Sequence, residues 1–286
     1  MTFSASVSDG QILMRERAPR AEMEDWPEGA PGRFSIELIT YMSRGLRVKG
    51  YLVKPEDGQT SRLPGMVYCR GGIGRVGMVR LKRLVQLAEG GYAVFAPVYR
   101  GNLGGEGRED FGGEDRHDVT GGIRALLSLP EVLPGKVPLL GFSRGAMMAL
   151  LAARECSEAG PVAVWGGVSD LFDTYEERVD LRRMLRRVVG HPKKRPEAYE
   201  DRSPRRWVDK INVPVLIIHG TADVQVGVGQ ARRLADALEA AGKTYGLRLY
   251  EGVGHAFPAD AERDALSAIF AWFATYRHGK EENETT

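Results

Sequence analysis

A chain of 286 residues with 40 Lys and Arg against 38 Asp and Glu, and 43% hydrophobic residues, has room for a sizeable core. It carries no charge excess that would select nucleic acid or an anionic membrane. Its two cysteines, Cys69 and Cys156, stand far apart outside any CxxC spacing, which argues against a disulfide framework or a cysteine metal site and leaves two free thiols.

The opening residues lack the charged start and apolar run of a secretory leader, and no apolar run reaches the length of a membrane span, so the expectation is a soluble, cytoplasmic chain. The first thirty or so residues, ending in "EDWPEGAPG", are read as a short helix and then a loop. "FSIELITYMS" and "LRVKGYLVKP" alternate apolar and polar residues around Arg44-Gly45 and predict an antiparallel hairpin. From there strands and helices alternate, the pattern of parallel βαβ units in a sheet covered on both faces. The strands are "GMVYCR", "YAVFAPVYR", "KVPLLGF", "PVAVWGG", "VPVLIIHG" and "YGLRLYEG". The helices between and after them are "MVRLKRLVQLAEGG", "RHDVTGGIRALLSLP", "RGAMMALLAARE", "GQARRLADALEAAG" and "AERDALSAIFAWFATYR".

The charged stretch 168–212 interrupts this alternation. Its apolar spacing at Leu181, Met184, Leu185, Val188 and Val189 predicts an amphipathic helix packed on the sheet domain, an insertion that overhangs the site. Its many Arg and Lys are read as a solvated face rather than as a grip on nucleic acid. Residues 1–33 form an N-terminal extension, 34–278 the main domain and 279–286 a polar tail that frays.

One strand ends abruptly. "KVPLLGF" passes through Gly141-Phe142-Ser143-Arg144-Gly145 straight into a helical sequence, the pattern of a nucleophile elbow, in which a serine is held exposed on a tight strand-to-helix turn. The five-letter pattern recurs by chance in glycine-rich chains, so it needs partners. A serine hydroxyl needs a base, and the base needs a third group to hold its tautomer. In the order Ser, acid, His expected for such an elbow, Asp223 follows the strand "VPVLIIHG" and His255 follows "YGLRLYEG". Both fall on loops past strand carboxyl ends, the edge where open α/β sheets bind ligands.

The competing readings are plainer. Asp223 could cap a turn, and Asp260 and Asp264 come after His255 and break the order. His219 ends an apolar strand and is read as a buried structural residue. His117, His191 and His278 have no evident partner, and no histidine pair has metal-ligand spacing. For the oxyanion, the donors are the Arg144 N–H and an N–H from "YCRGGIG", assigned to Gly72 with Ile73 close behind; Gly71-Gly72 forming a plain turn is the alternative. Met147 and Met148 are read as core. The glycine-rich, charged segment 101–118 is read either as a loop near the site or as a surface connection.

With Ser143, Asp223 and His255 placed, the chain resembles an α/β-hydrolase, more specifically the catalytic domain of the prolyl oligopeptidase family and its small dienelactone-hydrolase-like relatives. The resemblance runs from about residue 34 to 276 and rests on "GLRVKGYLVKP", "YRGNLGGEG", "GFSRGAMM", "SPRRWVDKINVPVLIIHGTAD" and "GVGHAF". It implies a mostly parallel central sheet with the N-terminal hairpin antiparallel and helices on both faces. The departures are Gly145-Ala146 in place of a glycine pair, Arg70-Gly71-Gly72 where relatives often have His-Gly-Gly, and no proline after the acid. The residues before the hairpin are too few for the β-propeller of larger members.

The leading expectation is a serine hydrolase that cleaves small carboxylic esters through an acyl-enzyme. The first alternative, implied by the resemblance, is a peptidase or aminopeptidase acting on short peptides, for which Glu106, Glu109 or Glu176 would hold the substrate amine. The second is a binding protein that keeps the fold without catalysis. No metal or organic cofactor, nucleic acid or membrane partner is implied, and the sequence is compatible with a homo-oligomer.

Overall fold

The computed structural model describes residues 8–18, 32–56 and 62–277. Strands β2 (Phe34–Ser43) and β3 (Leu46–Pro55) pair antiparallel from Phe34 opposite Pro55 to Ser43 opposite Leu46. Their two-residue turn places both Arg44 and Gly45 at positive φ, 46° and 78°, the twist that closes a tight hairpin.

A further strand, β1 (Ile12–Arg17), lies antiparallel on β2 where the sequence was read as helix. Five of its six residues are exposed, so no buried stripe announces it. It forms because the edge of β2 offers unpaired backbone groups, and Arg15 anchors it by donating to Glu37 at 2.7 Å and Glu131 at 2.6 Å. Most of the loop expected after it, and the polar tail, lie outside the described residues.

The remaining strands are β4 (Gly65–Cys69), β5 (Ala93–Pro97), β6 (Val137–Phe142), β7 (Ala159–Trp165), β8 (Val215–Gly220) and β9 (Tyr245–Tyr250). Together the described residues make a nine-stranded sheet in the order β1-β2-β3-β5-β4-β6-β7-β8-β9, parallel from β5 to β9. Every residue of β4 and β5 is buried, as expected of strands covered on both faces.

Helices α1 (Leu81–Ala88) and α8 (Ala259–Tyr276) seal one face through Leu84, Val85, Ile269 and Phe273. On the other lie α2 (His117–Leu127), α3 (Arg144–Glu155) and α7 (Gly229–Ala240), with Met147 and Met148 wholly buried. The fold is that of an α/β-hydrolase, as expected.

The charged stretch forms three helices, α4 (Leu171–Glu177), α5 (Arg182–Val188) and α6 (Pro196–Asp201), with one 3-10 turn between α4 and α5 and another, Pro204–Lys210, after α6. The amphipathic helix expected around Leu181–Val189 is α5, which buries Leu185 and, just past its end, Val189. The stem is pinned to α7. Gln230 Oε1 accepts from the Ser169 and Asp170 N–H groups, each at 2.8 Å, and Asp170 caps α4 by accepting from Phe172 N–H at 2.9 Å. Because β4, β6, β8 and β9 are parallel, the loops that follow them gather at one edge of the sheet.

Candidate active site

Ser143 occupies the turn between β6 and α3 with φ 56° and ψ −122°, a conformation an L-residue adopts only when its surroundings hold it there. Three backbone bonds do so. Ser143 N–H donates to Trp165 O at 2.9 Å, and Ser143 O accepts from Ala146 N–H at 3.1 Å and Val168 N–H at 3.2 Å. The bracketing glycines answer to packing: a β-carbon on Gly145 would collide with the Cys69 carbonyl, and one on Gly141 with the Gly145 carbonyl. Ala146, which replaces the second glycine of the usual pair, is accommodated because its neighbour Gly167 has no side chain to meet its methyl group.

Asp223 and His255 come together from their separate loops. His255 Nδ1 lies 2.6 Å from Asp223 Oδ2, while Asp223 Oδ1 accepts from the Gln225 and Val226 N–H groups at 2.8 and 2.9 Å. Burial acts to raise the Asp223 pKa, but the His255 contact and the two amides outweigh it and hold the carboxyl below its ordinary value. It therefore stays ionised at neutral pH. The imidazole rests on Phe142 at 4.8 Å between ring centres, and Gly166 leaves it room, since a β-carbon there would lie 3.1 Å from Nδ1. Ser143 and His255 line the same cavity, of about 740 Å³.

His219 is the buried structural residue expected, yet it sits behind the acid. Its Nε2 is 2.8 Å from Val226 O and 3.5 Å from Asp223 Oδ2. A carbonyl partner requires Nε2 to carry the proton, and burial lowers the pKa, so the ring is neutral. The unfolded chain binds a proton at this residue below pH 6.5 and the folded chain resists it, so stability falls as pH drops through 6.5. His219→Gln is expected to flatten that limb. The difference between urea-unfolding free energies at pH 7.5 and 5.5 shrinks, by up to about 1.4 kcal/mol for the one proton per pH unit. An unchanged difference would rule His219 out as its source.

The loop after β4 passes beside the serine: a β-carbon on Gly71 would lie 2.8 Å from that of Ser143. Gly72, Ile73 and Arg144 all line the cavity. Gly72 has φ 63°, and a β-carbon there would strike the Val76 carbonyl, so this tight turn requires glycine.

Two buried arginines hold it. Arg70 donates to Gly71 O at 2.9 Å, and Arg144 donates to Gly72 O at 2.6 Å. Glu109 joins them, accepting from Arg70 at 2.7 Å, Asn102 at 2.6 Å, Gly74 N–H at 2.9 Å and Arg144; Arg144 also pairs with Asp115. Tyr99 lies between the guanidiniums, 5.0 and 4.9 Å from their carbons. Burial works to lower the Arg144 pKa, but Asp115 and Glu109 hold it above its ordinary value.

None of the carboxylates expected to hold a substrate amine lines the cavity. Glu109 is consumed in the buried network. Glu106 pairs with Arg47, and Glu176 with Arg182 at 2.9 Å on the surface. Sequence alone does not reveal the roles of Arg70, Asp115 and Tyr99, because burial is what gives them their importance. Asp264 is bound to Tyr250, at 2.6 Å, and Asp260 to Arg263, both on the surface; His117 and His191 stand off the cavity, and His278 lies outside the described residues. Both thiols are free and buried, and burial pushes Cys69 up to about 12 and Cys156 up to about 11.

This fold and site architecture define a serine hydrolase of the α/β-hydrolase class. The chain belongs to the prolyl oligopeptidase family, whose model matches residues 79–280. It is 46% identical over 240 residues to the "Uncharacterized peptidase YtmA" of Bacillus subtilis, covering 83% of this chain and 92% of that one. It is 28% identical over 242 residues to human dipeptidyl peptidase 8, covering 79% of this chain but only 26% of the relative. Among solved structures, a Pyrococcus horikoshii acylaminoacyl peptidase superposes with a TM-score of 0.73 at 22% identity over 89% of this chain and 43% of that one. A Mycobacterium tuberculosis puromycin-hydrolyzing peptidase gives 0.72 at 23% identity over 87% and 46%. At such identities these two establish the fold. Among the described residues no helix is long and apolar enough to cross a membrane.

Proposed function

We propose that this chain is a serine peptidase that cleaves short peptides through an acyl-enzyme. Ser143 attacks the carbonyl carbon, His255 takes the hydroxyl proton and returns it to the leaving amine, and Asp223 holds the imidazole in its productive tautomer. The N–H groups of Arg144 and Gly72 stabilise the oxyanion. The observation that carries the reading is the 2.6 Å contact of His255 with Asp223, in a cavity that Ser143 lines from its elbow. The peptidase relatives move the weight from small esters, the leading expectation from sequence, to amides.

Among the described residues the one carboxylate on the cavity wall, Glu262, is engaged by Arg83, which favours substrates whose amino end is blocked or distant over aminopeptidase action. The two buried thiols accord with a reducing compartment, and the cytoplasm is the assignment we favour.

Phosphonate labelling together with a paired panel tests the proposal: p-nitrophenyl esters from acetate to octanoate, and N-blocked peptidyl p-nitroanilides. Labelling of Ser143 with turnover of the anilides is expected. Labelling with ester turnover alone would return the assignment to an esterase, and an unlabelled Ser143 would remove the catalytic reading altogether.

A further inference from the structure

If His255 protonates the departing group, what is released leaves past the imidazole, and the wall on that side meets the leaving portion of the substrate. Phe142 touches the imidazole, Trp165 packs edge-on against Phe142 at 6.3 Å, and Phe257 lies 4.9 Å from Trp165. The Arg83 guanidinium carbon stands 5.0 Å above the Trp165 ring, which places the start of α1 on the His255 side of the cavity. Arg80, Lys82 and Arg83 all line it there. Arg80 and Arg83 also lie near enough to the buried Tyr68 phenol to act on it electrostatically.

Charge on this wall is unbalanced. Glu262, the one carboxylate among the cavity-lining described residues, is engaged by Arg83 at 2.7 Å. Arg178 is paired with Asp180 at 2.6 Å, and Arg144 is spent on Glu109 and Asp115. Arg80 and Lys82 keep no carboxylate partner among the described residues. Two exposed cations beside an aromatic wall, in a cavity that shields part of their field from water, attract an anion that arrives with the substrate.

We propose that Arg80 and Lys82 form an anion subsite on the leaving-group side, which takes a carboxylate carried by the released part of the substrate. The inference rests on the assignment of Ser143 and His255. Two sources share this chemistry: the free C-terminus of a short peptide, and an acidic side chain on the first released residue.

The test compares benzyloxycarbonyl-Phe-Ala with a free carboxylate, the same peptide as its amide, and benzyloxycarbonyl-Phe-Asp-amide. The blocked Phe suits the apolar side chains of Val168, Leu181, Met184 and Val226, which also line the cavity. The wild type is expected to favour a carboxylate-bearing peptide over the neutral amide about tenfold in kcat/KM, shrinking with added salt as screened charges do. In the double variant Arg80→Gln, Lys82→Gln the ratio falls to about twofold or less, since the remaining charges are paired. The free acid or the aspartyl amide, whichever is preferred, identifies the source.

The same peptides are also tested as protectants of Ser143 against the phosphonate, a readout that needs no turnover. Phosphonylation with equal protection by acid and amide, or a preference that survives the double variant, overturns the subsite alone. A serine that the phosphonate does not label overturns the catalytic reading beneath it.

Discussion

Ser143→Ala is expected to fold as the parent does and to lose about four to six orders of magnitude in kcat/KM. The backbone at this residue is strained, at φ 56° and ψ −122°, but the bonds that hold it run from its N–H to Trp165 O and to its carbonyl from Ala146 and Val168. None uses the hydroxyl, and alanine keeps the β-carbon, so the elbow persists. The melting temperature should move by no more than about 2–4 °C, the shift that about 1 kcal/mol produces in a chain of this size.

What disappears is the nucleophile. The oxyanion donors and the cavity remain, and they support the residual rate. Stopped-time assays on the anilide panel, with calorimetry on the same preparations, check both halves. Retained activity with an unchanged melting temperature would refute the assignment. Asp223→Asn makes a weaker companion, expected at about four orders of magnitude, because an amide can hold the ring in the wrong tautomer.

Much of this site was legible in the sequence because each catalytic candidate follows a strand with an unmistakable apolar run. "VPLLGF", "VPVLIIHG" and "YGLRLY" fix β6, β8 and β9, and parallel strands bring the loops after them to one edge whatever the details between. Gly141 and Gly145 were legible for a related reason: only close packing of helix on strand demands glycine at both.

The strand β1 was not legible, since its residues are mostly exposed and its reason for existing is the open edge of β2, far along the chain. Nor was the fate of Glu109. In sequence it is one carboxylate in a charged, glycine-rich run, free to meet a substrate amine; in the fold it is 5% exposed, between two arginines. Burial of a charge depends on contacts among residues 70, 99, 109, 115 and 144, which no local period records.

That buried network leads to the second large effect. Glu109→Ala is expected to cost about 3–5 kcal/mol of stability, because it leaves Arg70 without its carboxylate and Arg144 with Asp115 alone. It should also lower kcat by about 10²–10³ per folded molecule, with little change in KM, for a geometric reason. In a trans peptide the N–H points opposite to the C=O, so a donor on Gly71 O aims the Gly72 N–H and a donor on Gly72 O aims the Ile73 N–H. Arg70 and Arg144 are those donors, and Glu109 fixes both guanidiniums while accepting from Gly74 N–H. Without it, the two peptide planes proposed to offer oxyanion donors lose their orientation while the substrate-binding walls stay in place.

The double variant Arg70→Met, Glu109→Met separates packing from catalysis. Apolar side chains of similar length replace the buried pair and should recover stability relative to Glu109→Ala, since Arg70 is removed with its carboxylate while Arg144 keeps Asp115. Methionine cannot hold the Gly71 carbonyl, so kcat stays low. Urea unfolding measures the first, and kcat normalised to phosphonate-titrated sites the second. If kcat recovers along with stability, the network serves the fold alone and the oxyanion loop is oriented by other means.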